Sequence, residues 1–369
     1  MAHNPDEQCY AFVAEWYDPM PQLTKQYLLK YFPETHEVEM VDGKSRRMFL
    51  KRSKVPETIL PQEFFVGSRM VLYARNLNLV DYGDSKTRKI MSEREVKTLI
   101  ILGPDVYEHF GKILDAFTQQ DLTIGKIKMF KLGISEASDV CSLLSDQLQS
   151  SRDAHVQHLS SNVGLAVLLL GDQALDRCQQ IADSVRSRYA ADSVRNAVTC
   201  CGSENQVEEL TEYFFGPSSR LASTATFDNC TCCVIRPHAV NKGLTGRILD
   251  DIISQGYEVS ALEGFTLERP MSEEFLEVYK GVVPEYPEMV NQLCSGACVA
   301  LEVRAEDAVN TFRQTAGPWD VEMAKELRPN TIRAKYGLDR ILNAVHCTDL
   351  PEDGISECQY FFDLMQRHM

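Results

Sequence analysis

The feature that most limits what this chain can become is an internal repeat. Thr98-Leu-Ile-Ile-Leu-Gly-Pro104 matches Thr231-Cys-Cys-Val-Ile-Arg-Pro237 at an offset of 133, and Gly111-Lys-Ile-Leu-Asp115 matches Gly246-Arg-Ile-Leu-Asp250 at 135. Val185-Arg-Ser-Arg-Tyr189 matches Ile332-Arg-Ala-Lys-Tyr336, Asn196-Ala-Val198 matches Asn343-Ala-Val345, and Tyr213-Phe-Phe215 matches Tyr360-Phe-Phe362, all at 147. Self-similarity on this scale means that one structural unit is used twice. The offset grows from 135 to 147, so the first copy lacks about a dozen residues of the second. The missing stretch corresponds to Gly317 through Pro329, whose Gly and Pro content predicts a loop.

Each copy opens with an apolar, β-branched run and a Pro turn. In the second copy a helix follows, with Ile248, Leu249, Ile252 and Ile253 at helical spacing, then a strand at Tyr257-Glu-Val-Ser-Ala-Leu262. Alternating strands and helices imply an α/β sandwich. The first 90 residues have no counterpart in the repeat. Their short aromatic and aliphatic runs, with Asp42-Gly43 as a hairpin signal, predict a small, mostly β module. The domains expected are therefore 1–90, 91–215 and 227–369, with the small, polar stretch 216–226 as a linker.

The 369 residues carry a net charge of −15. That balance argues against a binder of bare nucleic acid, whose affinity rests on Lys and Arg at phosphates. The longest apolar run, Val163–Leu170, is far too short to span a bilayer and reads as a buried strand. The polar N-terminus has no signal-peptide pattern, so the twelve cysteines are expected as reduced thiols of a cytoplasmic chain that meets no membrane. Strand alternation puts Cys230 and Cys232 on one face and Cys233 on the other; no His or Cys spacing forms a recognisable zinc knuckle, and no metal ligands are expected.

Asn343-Ala-Val-His346-Cys-Thr348-Asp349, with Arg333 upstream and Glu357 downstream, resembles the phosphohistidine motif of nucleoside diphosphate kinases. The resemblance implies an α+β fold: two ferredoxin-like α/β sandwich kinase-type domains in tandem, here behind a PH-like module similar to the DM-ten modules of ciliary axonemal proteins. It also implies roles. His346 is the expected nucleophile, Glu357 orients its ring and Thr348 supports Glu357. Arg236, Arg313 and Arg333 lie at phosphates, and Asn343 at the sugar and phosphate region. An imidazole suits this chemistry because much of it is neutral near pH 7. The implied cofactor is Mg2+, carried largely by the nucleotide itself.

Three positions depart from the family pattern. Arg236 replaces a phosphate-binding Lys, Leu276 aligns with an active-site Tyr although Tyr279 is nearby, and Trp319 replaces a phosphate-binding Thr. Copy one departs further, with Thr199 at the His position, Gly103 at the Lys position and Leu210 at the Glu position, so it cannot form a phosphohistidine. Read through that resemblance, these departures and the N-terminal module imply a structural protein of ciliary or flagellar doublet microtubules, of the microtubule inner protein type, in the cytoskeleton and axoneme. Its expected partners are tubulin, other doublet proteins and nucleotide, with at most weak phosphotransfer in the second copy. The alternative is an active kinase working through His346, with the γ-tubulin ring complex of the centrosome as its place of action. The run Lys44 to Lys54, with six basic residues and no acidic one, is the expected docking face for an acidic partner.

Overall fold

The computed structural model describes residues 8–18, 23–56, 59, 61–66, 68–94, 96–144, 152–171, 173–219 and 221–368. Two compact units divide the chain close to residue 95.

The N-terminal unit is an antiparallel sheet of β1 (Tyr10–Asp18), β2 (Leu23–Phe32), β3 (Glu37–Asp42), β4 (Met48–Lys54), β5 (Arg69–Leu72) and β6 (Arg75–Tyr82), in the order β4-β3-β2-β1-β6-β5, followed by helix α1 (Ser85–Arg94). Period-2 alternation sends Tyr10, Phe12 and Ala14 of β1 inward against Tyr27, Leu29 and Tyr31 of β2, with Phe64 stacked 3.8 Å from Tyr31. Thr87 of α1 accepts the buried Ala11 N–H at 2.9 Å, satisfying the sheet where β1 begins. Asp42 turns the β3–β4 connection by accepting the Lys44 and Ser45 amides. The basic run thus becomes an exposed edge strand. Arg52 and Lys54 already contact Glu37 and Thr35, which narrows the cationic face to Lys44, Arg46, Arg47 and Lys51.

The second unit holds both copies in one eight-stranded sheet. Copy one runs β7 (Val96–Leu102), α2 (Phe110–Thr118), β8 (Thr123–Phe130), α3 (Ile134–Leu143), α4 (Arg152–Leu159), β9 (Gly164–Gly171), α5 (Ala174–Tyr189), β10 (Val198–Cys200) and α6 (Glu204–Phe215). Copy two runs β11 (Cys230–Ile235), α7 (Pro237–Asn241), α8 (Thr245–Ser254), β12 (Glu258–Thr266), α9 (Arg269–Phe275), α10 (Tyr286–Leu293), β13 (Ala297–Arg304), α11 (Ala308–Ala316), α12 (Val321–Leu327), α13 (Ile332–Tyr336), β14 (Val345–Cys347) and α14 (Gly354–Gln359). The order β10-β7-β9-β8-β12-β13-β11-β14 is the same four-strand arrangement read outward from a central β8–β12 joint. The repeat extends to irregularities: β8 bulges between Ile124 and Lys126, β12 between Val259 and Ala261, at the offset of 135.

Helices α2 and α8 pack across the same joint. A Cβ on Gly111 would stand 2.3 Å from the Asp250 amide, and one on Gly246 would stand 2.4 Å from the Asp115 amide, so both glycines exist to let the two backbones meet. As the alternation requires, Cys230 and Cys232 face one apolar layer and Cys233 the other.

One expectation is corrected. The stretch absent from copy one is not merely a loop, because Val321–Leu327 is a helix whose N-terminus is capped by Asp320 accepting from Met323 N at 3.1 Å. Gly317, Pro318 and Pro329 bracket it and obscure it in the sequence. Its loss lets copy one run straight through: the 16 residues of α5 take the place of α11 and α13 together. The linker packs as well. Leu221 joins the core beneath copy one, and Phe227 N and Thr226 donate to Glu302 in copy two.

Candidate active site around His346

Strand β14, the outermost strand of copy two, pairs with β11 and sets His346 opposite Val234. The chain enters β14 through Ala344, held at φ 70°, a conformation costing an alanine about 1–2 kcal/mol. Ala197 repeats it at φ 67° in copy one, so the kink belongs to the fold. The Ala344 amide donates to His238 Nε2 at 3.3 Å, as the Ala197 amide donates to Asp105 at 3.2 Å. Burial, aided by Arg236 and Lys242, pushes His238 down to about 3, keeping it a neutral acceptor.

His346 Nε2 lies 2.8 Å from Glu357 Oε2, which also accepts the Thr348 hydroxyl at 2.9 Å. An ionised carboxylate can only accept, so Nε2 carries the proton and the lone pair is on Nδ1. That Nδ1 is buried and has no hydrogen-bond partner among the described residues. Phe275 meets the imidazole edge-on at 4.9 Å, and Tyr279 does so at 6.4 Å. Three of the residues singled out in the sequence are therefore brought together as one chain of contacts, Thr348 to Glu357 to His346.

The expected phosphate ligands divide into two groups. Arg313 is half exposed and reaches the carbonyl and carboxylate of Asp349. It lines a pocket of ≈ 390 Å³ with Asn310, Gln314, Trp319, Arg328 and Arg333. Arg333 is buried and its guanidinium donates to the carbonyls of Gly317 and Val345, which fixes α13 to β14. Arg186 makes the equivalent bond to Val198 in copy one, so that contact is architectural. Arg236 is buried, bonded by one amino group to Gln292 and Ile341, while its Nε and other amino nitrogen have no hydrogen-bond partner among the described residues. Burial, with the nearby Arg333 charge, pushes it down to about 10. Asn343 is also fully buried, with both amide atoms unpartnered among the described residues.

Trp319 explains this confinement. Its ring centroid is 5.6 Å from the guanidinium carbons of both Arg236 and Arg333, so one indole packs against both cations. The aligned position of the active-site Tyr is corrected as well. Leu276 is packed into the core, and the ring at His346 belongs to Tyr279, whose hydroxyl donates to Asp349 at 2.6 Å. Phe275 and Arg328 escape a reading of the sequence because no motif marks them, and Asp349 stands in the His346 motif without a role assigned to it.

In copy one the place of Arg236 is filled. A Cβ on Gly103 would meet Asp105 at 2.4 Å and His158 at 3.0 Å, and these two side chains bond each other at 2.9 Å. Leu210 is buried where Glu357 stands in copy two.

A His with one nitrogen gripped by a carboxylate, in the same copy as an arginine-lined pocket on an α/β sandwich, is the arrangement of a nucleoside diphosphate kinase-type domain. Residues 229–366 match the nucleoside diphosphate kinase family. The nucleoside diphosphate kinase homolog 7 of Rattus norvegicus is 38% identical over 99% of this chain and 95% of its own length, and that of Mus musculus 39% identical over the same shares. The nucleoside diphosphate kinase of Aquifex aeolicus is 36% identical over 36% of this chain and 92% of its own. The chain belongs to the nucleoside diphosphate kinase homolog 7 family. Kinases of the wider family use a nucleotide and Mg2+. Asp349 is the single carboxylate lining the pocket beside three arginines, a donor set suited to phosphate oxygens and not to a protein-held Mg2+.

Proposed function

We propose that copy two binds a nucleoside triphosphate and accepts its γ-phosphoryl group slowly on His346 Nδ1. The observation that carries this reading is the bare, buried Nδ1 beside an Nε2 fixed by Glu357. The Nδ1 lone pair attacks the γ-phosphorus as its bond to the β-phosphate oxygen breaks, releasing a diphosphate. A second nucleoside diphosphate reverses the step, its β-phosphate oxygen taking the phosphoryl group as the N–P bond breaks. Glu357 stabilises the imidazolium character that develops, and Arg313 and Arg328 supply positive charge to the phosphates. Trp319 against Arg236 and Arg333 keeps the rate low. Isothermal titration with ADP tests the binding step: Arg313→Ala should weaken it, and Arg186→Ala in copy one should not.

The chain as a whole, in this reading, serves as a structural component of ciliary doublet microtubules. A degenerate copy kept only as scaffold and the exposed basic edge strand β4 support it. Reversing charge at Arg46, Arg47 and Lys51 should weaken co-sedimentation with doublets in a salt-dependent way. Unchanged retention would move the docking function away from β4.

A further inference from the structure

Behind the Thr348, Glu357 and His346 chain, β11 and α14 bring together side chains that are far apart in sequence. Sγ of Cys230, a carboxylate oxygen of Glu302 and Sγ of Cys358 all lie within 4.8 Å of one another, and all three residues are buried. Cys232 shares their face of β11 and the same apolar layer, and its thiol interacts with that of Cys358. The cluster is thus two sulfurs and one carboxylate, with Cys232 as a third sulfur beside Cys358.

Glu302 is held as a ligand would be. Its Oε1 accepts from Thr226 N at 2.7 Å, the Thr226 hydroxyl at 3.0 Å and the Ser260 hydroxyl at 2.6 Å, whereas Oε2 accepts only from Phe227 N at 3.1 Å. Oε2 therefore keeps a lone pair for another partner. No ion pair to Glu302 occurs among the described residues, and Arg304, two positions along, is committed to Asp228 and Glu258. A carboxylate in an apolar layer without a counter-charge is costly, and neutral donors do not supply one. A divalent cation does.

We propose that Cys230, Cys232, Cys358 and Glu302 bind one Zn2+ as a structural centre. Three thiolates and an oxygen suit Zn2+ over Mg2+ or Ca2+, which prefer all-oxygen shells. Tetrahedral ligation with bonds of about 2.0–2.3 Å asks the Cys230, Glu302 and Cys358 donors to close in by only about 1 Å, with Cys232 turning in beside Cys358. Each coordinating thiol gives its proton to solvent on binding. The metal supplies the driving force for thiolate formation in this buried layer. Since every ligand is buried, uptake accompanies folding. The centre would pin β11 and α14 to the segment that enters copy two, and it would hold Glu357, the neighbour of Cys358, at its distance from His346.

The test is elemental analysis of the full chain, produced without a polyhistidine tag in zinc-supplemented medium. The expected result is one zinc per chain, lost in Cys358→Ser and kept in Cys298→Ser, a buried cysteine outside the cluster. Protein produced with Co2+ in place of zinc should show thiolate-to-cobalt charge-transfer absorption, a readout on the unmutated chain that stands even if Cys358→Ser does not fold. A metal-free wild-type chain, equal zinc in wild type and Cys358→Ser, absence of the cobalt band, or a metal-free chain with two fewer titratable thiols would each overturn the proposal.

Discussion

Lys128 and Glu263 occupy the same position in the two copies, at the offset of 135, and they meet each other: Nζ of Lys128 lies 3.3 Å from Glu263 Oε1 in the single paired position of the β8–β12 joint. The relation that maps one copy onto the other therefore passes between them. Two first copies joined this way would set Lys against Lys, and two second copies Glu against Glu. Arg247 with Asp115 and Lys112 with Asp250 also bridge the copies, but their equivalent positions carry like charges (Lys112 and Arg247, Asp115 and Asp250), so these pairs hold the joint without choosing the partner, and the choice rests on Lys128 and Glu263. Opposite charge at equivalent positions specifies that copy one pairs with copy two.

Lys128→Glu should therefore destabilise the second unit by on the order of 3 kcal/mol, because both side chains are nearly buried and like charges would face each other. The swap Lys128→Glu with Glu263→Lys should recover most of that loss. Denaturant midpoints of the four chains measure the coupling.

Acid should weaken copy two through His238. Its folded value of about 3 lies below the ordinary value of 6.5, so the folded state disfavours the proton. The stability this confers is complete above about pH 6.5 and is lost as pH falls toward 3, by at most about 1.4 kcal/mol per pH unit. Unfolding free energy against pH should show that slope in wild type and a flatter one in His238→Asn.

Trp319→Thr should open the space beside Arg236 and Arg333. ADP should bind at least about tenfold more tightly, consistent with an indole-cation contact of about 1–2 kcal/mol being exchanged for charge-assisted phosphate bonds. Isothermal titration checks it, and unchanged affinity would mean that the indole does not block the phosphate position.

Much of this architecture is legible in the sequence because it rests on short-range periodicity. The run Val163–Leu170 becomes β9, and the alternation of Cys230, Cys232 and Cys233 divides them between two layers. The repeat offset by itself places Lys128 and Glu263 at equivalent positions. Helix α12 is hidden by the Gly and Pro that bracket it, although Asp320 three residues before Met323 is a capping signal. Tyr279 beside His346 depends on how α9 ends at Leu276, which spacing does not reveal. The approach of Cys358 to Cys230 and Glu302 is a tertiary contact between segments without shared periodicity, so no motif announces it.

Glu357→Gln should leave the fold intact, since the amide can still meet Thr348 and His346, yet slow phosphoryl transfer about 10- to 100-fold, because a neutral amide stabilises a developing imidazolium less than a carboxylate does. Single-turnover labelling with wild-type and variant chains at equal occupancy measures the difference.

Incubation of the full chain with γ-labelled ATP, followed by an assay for acid-labile, alkali-stable phosphate, tests most directly whether His346 is a working but hindered nucleophile. Slow labelling in wild type, none in His346→Ala and faster labelling in Trp319→Thr is the predicted result. No label in wild type, or label that persists in His346→Ala, would contradict it.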